Sequence, residues 1–133
     1  MRTYYVGMDV HQASIVIVVL NGVGKVVMEL VVETGAETVR NFLKSLRGNV
    51  YVTFEEGTQA EWLHDVIRPL VSKVIVCDPR RNKLLLEGNK GDRVDALKLA
   101  QLLRAGMLRA VYQRRQGRKS AERAGAELQL SGL

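Results

Sequence analysis

The order of strand and helix patterns limits the fold of this chain more than any other feature. Three strand patterns come first, and the Asn-Gly pair at 21–22, between the second and third, is the strongest short signal for a β-hairpin. Strand and helix patterns then alternate, and a regular helix pattern follows the last strand. The segments in order are strands 3–10, 13–20 and 25–33, helix 34–48, strand 50–56, helix 58–70, strand 73–79 and helix 92–106.

A three-stranded meander followed by alternating helices and strands predicts an α/β fold. We expect a five-stranded mixed sheet in the order 3-2-1-4-5 with flanking helices on both faces. This is the element order of the ribonuclease H-like fold. Actin-like ATPase domains share that order, so the order alone does not choose a function. The sequence has no glycine-rich phosphate turns and no second copy of the pattern, which counts against an ATPase.

Two details of the helices follow from local patterns. Thr34 with Glu37 three residues later is the pattern of a capping box, so Thr34 is predicted to cap the first helix. In the second helix, Trp62 belongs to an apolar group at helical spacing, which predicts that Trp62 packs into the core.

The composition predicts one domain and fits a reducing cytosol. The chain has 133 residues, 47% of them apolar, and its apolar runs are shorter than the roughly 18 residues of a membrane span. Its first ten residues lack the layout of a signal peptide. Cys77 is the one cysteine, so an internal disulfide is impossible, and its apolar surroundings favour a buried, inert thiol over a catalytic one.

The net charge of +6 is unevenly distributed. Residues 1–79 hold seven Lys/Arg and nine Asp/Glu, whereas residues 80–133 hold thirteen and five. A basic half predicts a polyanionic partner, although a merely solubilising basic tail is the alternative. Four of these cations lie in a predicted surface loop just before the last helix: Arg80, Arg81, Lys83 and Lys90.

Four carboxylates lie where the predicted fold brings strand and helix ends together. Asp9 is within the first strand, Glu55 ends the neighbouring fourth strand, and Asp92 and Asp95 share one side of a helix start. If that helix packs beside the first strand, all four converge. Oxygen ligands at this density suit Mg²⁺ or Mn²⁺, and two ions about 4 Å apart can promote phosphodiester chemistry. Asp9 would be the ligand that both ions share.

Each acid except Asp9 also has an ordinary structural explanation. Asp92 can be an N-cap, with Asp95 completing a capping box. Glu55 and its neighbour Glu56 can form a solvated strand end. A carboxylate in the middle of an apolar strand has no such explanation, since burying it unpaired costs several kcal/mol or more. His11 fits a polar turn better than a ligand position.

Three segments carry a resemblance to a known family. They are "YVGMDVHQASI", "FEEGTQAEWL" and "NKGDRVDALKLAQLLRAG". Together they resemble the N-terminal domain of the insertion-sequence one-ten family of transposases, which are DEDD recombinases with a fold similar to the RuvC Holliday-junction resolvase. The matching positions are Gly7 to Val10 for Gly-x-Asp-Val, Phe54 and Glu55 for the acid after strand four, and Lys90, Asp92, Asp95 and Ala96 for Lys-x-Asp-x-x-Asp-Ala.

The resemblance implies a DEDD site that binds Mg²⁺ or Mn²⁺ and acts in DNA strand exchange. It also implies a structured bridge RNA, a homo-oligomer such as a dimer, the cytoplasm of a prokaryotic cell, and a serine nucleophile in a separate C-terminal domain. The usual Glu-x-Thr-Gly step reads Glu55, Glu56, Gly57, Thr58 here, so either glutamate can be the ligand, and Glu55 is chosen. The predicted catalytic and metal residues are Asp9, Glu55, Asp92 and Asp95, and the predicted nucleic-acid-binding residues are Arg80, Arg81, Lys83, Lys90 and Arg93.

The expected organisation is a RuvC-like DEDD domain over residues 1–112 and a basic tail over 113–133. The tail does not resemble the family, and we expect it to be a truncated or non-native continuation. The chain is expected to bind metal and nucleic acid but not to recombine DNA alone. Two other functions stay open: a free-standing RuvC-like Holliday-junction nuclease, and a non-catalytic nucleic-acid-binding remnant.

Overall fold

The computed structural model of the chain describes residues 2–78 and 91–108, except for the side chain of Asp92. The predicted loop at 80–90 and the predicted tail at 113–133 lie outside these residues. The described strands are β1 (Thr3–Val10), β2 (Ser14–Leu20), β3 (Val26–Glu33), β4 (Asn49–Glu55) and β5 (Lys73–Cys77). The described helices are α1 (Ala36–Ser45), α2 (Ala60–Ile67), which runs into a 3-10 turn at Arg68–Leu70, and α3 (Asp92–Ala105).

The strands form a single mixed sheet in the order β3-β2-β1-β4-β5, which confirms the predicted order. The meander β1-β2-β3 is antiparallel, and β4 and β5 add to it in parallel to β1. Gly7 of β1 pairs with Thr53 of β4, and Met8 pairs with Phe54. The first and fourth strands are therefore neighbours that end at the same edge of the sheet.

Different helices pack on the two faces of the sheet. Val6 and Met8 of β1 lie in the main core with Phe54 and the buried residues of α1 and α2. The other face carries a smaller apolar cluster, in which α3 packs on β1 and β2. Because side chains alternate along a strand, Gly7 and Asp9 lie on the α3 face.

Helix α3 lies unusually close to β1, and Gly7 makes this possible. A Cβ atom at Gly7 would lie 2.1 Å from the carbonyl oxygen of Ala96 and 2.7 Å from the backbone nitrogen of Ala100. Both distances are far below van der Waals contact, so a side chain cannot fit here. The short side chains of Ala96 and Ala100 are themselves fully buried at this contact.

The predicted cap at Thr34 is wrong. Gly35 is the N-cap of α1, and the Thr34 hydroxyl donates a 2.8 Å hydrogen bond to the backbone carbonyl of His11. A threonine hydroxyl has one proton to donate, and here that proton ties the end of β3 to the β1–β2 turn. The local capping pattern gave no indication of this long-range contact.

The predicted burial of Trp62 is also wrong, because its side chain is 37% exposed. Helix α2 is only eight residues long, and its buried stripe runs through Ala60, Leu63 and Ile67. Trp62 lies beside this stripe rather than on it. Cys77, in contrast, is buried as predicted.

Helix α3 begins at Asp92, with Gly91 in the N-cap position. Gly91 has φ of 115°, a backbone conformation that favours glycine. Asp92 is therefore the first helical residue and not the N-cap that one interpretation of the sequence required. Within residues 2–78 and 91–108, no helix is both long and apolar enough to cross a membrane.

Candidate functional site

The candidate site lies at the carboxyl ends of β1 and β4. Asp9 and Glu55 each follow a paired residue, Met8 and Phe54, so they are the next positions along two neighbouring strands. Both belong to the set of side chains on the α3 face. The sheet order thus places two acids side by side at one edge. The carboxyl ends of parallel strands are where open α/β sheets usually bind ligands.

A cleft of about 190 Å³ opens at this edge. Its walls are the end of β1 with the following turn, the end of β4 with the turn that leads into α2, and one side chain of α3, Leu99. Asp9, His11, Glu55 and Glu56 all line it. The cleft therefore presents carboxylate oxygens to whatever enters it.

Glu55 has a perturbed environment in the cleft. Its side chain is half-buried, and this burial raises the pKa of its carboxyl group above the ordinary value. The negative charges of Asp9, Asp95 and Asp78 raise it further, in that order. Three carboxylates from three other parts of the chain thus lie within electrostatic reach of Glu55. Its neighbour Glu56 is exposed.

Asp9 has a hydrogen-bond partner two residues away. The Nε2 atom of His11 lies 3.1 Å from Oδ2 of Asp9, and the Asp9 side chain is only 20% exposed. When Asp9 is ionised its carboxylate can only accept hydrogen bonds, and Nε2 of His11 is then the donor. This contact compensates for part of the cost of placing a carboxylate within an apolar strand.

The predicted acids do come together where the structure describes them. Asp95, in the first turn of α3, acts on Glu55 together with Asp9. Asp92 begins the same helix, but its side chain lies outside the described part of the chain. The site assignment itself stays a prediction.

Arg93 is the one predicted nucleic-acid-binding residue that the structure describes. Arg93 forms a bidentate ion pair with Glu29 of β3, with Nε 2.7 Å from Oε1 and Nη2 2.5 Å from Oε2. This pair joins the first turn of α3 to the sheet. The other four predicted nucleic-acid-binding residues, Arg80, Arg81, Lys83 and Lys90, lie outside the described residues.

Sequence reasoning missed two residues at this edge. Asp78 directly follows β5, the strand beside β4, and its charge acts on Glu55. The signal was available, because an acid at the end of a third parallel strand falls at the same sheet edge as Asp9 and Glu55. His11 was interpreted only as a turn residue. Its i+2 spacing from Asp9 was the signal for a contact.

The donor chemistry fits a hard divalent cation. Asp9, Glu55 and Asp95 offer only oxygen ligands, which Mg²⁺ and Mn²⁺ prefer, and a cation would offset the mutual repulsion that acts on Glu55. Among the described side chains, which do not include that of Asp92, no group of three His, Cys, Asp or Glu residues is close enough to hold an ion as it stands.

The sheet order, the helix on Gly7 and the acids at the strand ends define a ribonuclease H-like domain with a carboxylate site. A sequence model of the IS110 (insertion-sequence one-ten) DEDD transposase family, described as a transposase, matches residues 6–119. The chain therefore belongs to this family, as its motifs predicted. Family and fold together support a function in DNA recombination or a related nuclease reaction.

A solved structure shares the fold. This structure is T. thermophilus RuvC in complex with Holliday junction substrate. The match covers 82% of this chain and 99% of the RuvC chain, with a TM-score of 0.54 and 16% sequence identity. At this identity the likeness shows the fold alone. Among curated proteins, no relative matches the chain.

Proposed function

We propose that residues 1–112 form the catalytic domain of a transposase that acts in the DNA strand exchange of an insertion sequence through divalent-metal-dependent phosphodiester chemistry. The observation that carries this proposal is the half-buried Glu55, which lines the cleft together with Asp9 and lies within electrostatic reach of both Asp9 and Asp95. A structural role does not require an acid of one strand and an acid of a helix to act on a half-buried acid of a second strand.

The residues that would hold Mg²⁺ or Mn²⁺ are Asp9, Glu55 and Asp95, with Asp92 from the same helix start. When bound, the metal would activate a water or hydroxyl and stabilise the leaving oxygen of a phosphodiester. The protein's own part is to supply and orient the oxygens. Glu55 is a better candidate than Glu56, because Glu55 is half-buried among the other acids, whereas Glu56 is exposed.

DNA is the proposed substrate, and the basic residues before α3 are proposed to hold its phosphates. Neutralising Arg80, Arg81, Lys83 and Lys90 together should weaken DNA binding. It should also flatten the salt dependence by about one unit of slope for each phosphate that is no longer neutralised. Binding measured across a salt series checks this, and an unchanged slope in the quadruple variant contradicts it. The bridge RNA and a dimeric state are proposed from the family resemblance alone.

For residues 1–112 we propose metal binding, DNA binding and the part of the phosphodiester chemistry that the carboxylates perform. The resemblance assigns the serine nucleophile to a separate domain, so recombination is not expected from this domain alone. Metal binding tests the proposal directly. Mn²⁺ should bind the purified chain, and Asp9→Asn should abolish that binding, while Glu56→Gln, a charge change of the same size at an exposed neighbour, should leave it intact. Equal Mn²⁺ affinity in Asp9→Asn and the unmodified chain would show that the site is wrong.

A free-standing junction nuclease is the second candidate. Its support is that nearly the whole RuvC chain is matched by this one. A labelled four-way DNA junction separates the candidates: a Mg²⁺-dependent nick that Asp9→Asn abolishes favours the free-standing nuclease. Metal binding without a nick favours a domain that works only within a transposase. DNA or RNA binding without any metal affinity would indicate a non-catalytic remnant.

A further inference from the structure

The β1–β2 turn beside the cleft is held by hydrogen bonds on both of its sides. The backbone nitrogen of His11 donates to the carbonyl of Ser14 over 2.8 Å, which closes the turn. The hydroxyl of Thr34 donates to the carbonyl of His11, also over 2.8 Å, and the backbone nitrogen of Thr34 donates to the carbonyl of Ala13. The end of β3 therefore fixes the turn that carries His11.

Because its backbone is fixed, His11 in turn restricts the position of the Asp9 side chain. Its backbone is bonded on both the nitrogen and the carbonyl side, while its ring nitrogen Nε2 reaches Oδ2 of Asp9 at 3.1 Å. Both the Nε2–H tautomer and the imidazolium donate through this atom, so the contact does not depend on the charge of the ring. A carboxylate held at one oxygen in this way has fewer orientations, and its other oxygen is restricted with it.

We propose that His11 is a positioning residue for the Asp9 carboxylate, and that Thr34 positions His11. The inference rests on the proposed function, since it concerns the same divalent-cation site. Hydrogen bonds to a metal-binding carboxylate or imidazole typically contribute about 10- to 100-fold to metal affinity, because they fix the ligand before the metal arrives. His11 itself supplies no electron pair to the metal through Nε2 in this arrangement, because Nε2 carries the proton that it donates to Asp9.

Two substitutions at His11 separate the hydrogen bond from the ring. The amide nitrogen of glutamine lies the same number of bonds from Cα as Nε2, whereas the amide nitrogen of asparagine matches Nδ1. His11→Gln therefore keeps a donor near Oδ2 of Asp9, and His11→Asn withdraws it. Thr34→Val removes the hydroxyl at constant shape. His64, the other histidine of the chain, lies on α2, so His64→Asn is the matched control.

The test is Mn²⁺ binding by the full chain, followed by the decrease of the free Mn²⁺ signal in electron paramagnetic resonance. His11→Asn should weaken Mn²⁺ binding about 10- to 100-fold, and Thr34→Val should weaken it in the same direction. His11→Gln should bind close to the unmodified chain, and His64→Asn should not differ. Pulsed spectra of the bound Mn²⁺ should show no coupling to a ring nitrogen of His11. Melting without metal shows that each variant is folded.

Three outcomes overturn the inference, and they can be told apart. If Asp9→Asn loses Mn²⁺ while His11→Asn and Thr34→Val bind normally, the metal site stands and the positioning role is wrong. If His11→Gln and His11→Asn lose affinity equally and ring-nitrogen coupling is seen, His11 is a ligand rather than a positioning residue. If the unmodified chain binds no Mn²⁺, or Asp9→Asn binds it equally well, the proposed site is wrong and this inference falls with it.

Discussion

Replacing Gly7 with alanine tests whether the close contact between α3 and β1 assembles the site. The new Cβ would lie 2.1 Å from the carbonyl oxygen of Ala96 and 2.7 Å from the nitrogen of Ala100. Both are backbone atoms of α3, so no change of side-chain rotamer can make room. Favourable contact needs roughly 3.5 Å, and the helix must therefore move away from the strand by about 1 Å or more.

The expected decrease in stability follows from this overlap. Forcing an extra methyl group into a packed region typically destabilises a protein by about 1–3 kcal/mol. Replacing glycine also reduces the entropy of the unfolded chain, which returns about 0.4–1 kcal/mol. Because the clash is with backbone, we expect the first effect to win, with a net decrease of about 1–2 kcal/mol in the free energy of unfolding. That decrease lowers the melting temperature by roughly 4 °C per kcal/mol in a domain of this size.

The assay combines urea unfolding with a titration of Glu55 followed by NMR. As α3 moves outward, the charge of Asp95 moves away from Glu55, so the pKa of the Glu55 carboxyl should fall towards its ordinary value. Gly22→Ala is the control, because a Cβ there would meet nothing within 4 Å. If Gly7→Ala unfolds like Gly22→Ala and leaves the Glu55 titration unchanged, the close contact does not assemble the site and the reasoning is refuted.

Three further predictions concern the charges. Mn²⁺ at a hundredfold excess over its Kd should stabilise the chain by about 2.7 kcal/mol. Asp9→Asn should lose this stabilisation, and its metal-free form should be no less stable than the unmodified chain. Melting with and without metal measures both effects. The pKa of Glu55 is raised in the folded state, so ionisation of Glu55 opposes folding. Metal-free Glu55→Gln should therefore be as stable as the unmodified chain in acid, and it should become the more stable of the two as pH rises from about 4.5 through the folded pKa. Urea unfolding at several pH values checks this, and a stability difference between the two proteins that does not vary with pH contradicts it. The hydrogen bond from Arg93 lowers the pKa of Glu29, so Arg93→Gln should return that pKa to its ordinary range in an NMR titration.

The meander and the parallel crossovers could be predicted from local signals, whereas the place of the fourth strand beside the first came from the ribonuclease H-like fold that has this element order. Asn-Gly at 21–22 indicated the second hairpin connection, and the helix patterns between the later strands implied parallel crossovers. The adjacency of Asp9 and Glu55 then followed from the order of the strands rather than from either residue. Asp95 needed one more assumption, that the last helix packs beside β1, and the structure has this contact.

The errors have a common physical cause. Thr34 fits a capping pattern, but its hydroxyl bonds to the carbonyl of His11, which is 23 residues away in sequence. Trp62 fits a helical period, yet its burial depends on which stripe of a short helix meets the sheet. Local patterns carry no information about such competing partners.

The spacing of Gly7 and Asp9 has a physical explanation that links the fold to the site. Residues two apart on a strand share a face, so the glycine that admits α3 and the acid that needs a counter-charge point to the same side. On α3, Ala96 meets Gly7, and Asp95 directly precedes Ala96 in the chain. The same contact that packs the helix therefore holds Asp95 within electrostatic reach of Glu55, which ends the neighbouring strand β4. If the acid stood one position earlier or later on β1, its side chain would point to the other face of the sheet, into the main core and away from Asp95.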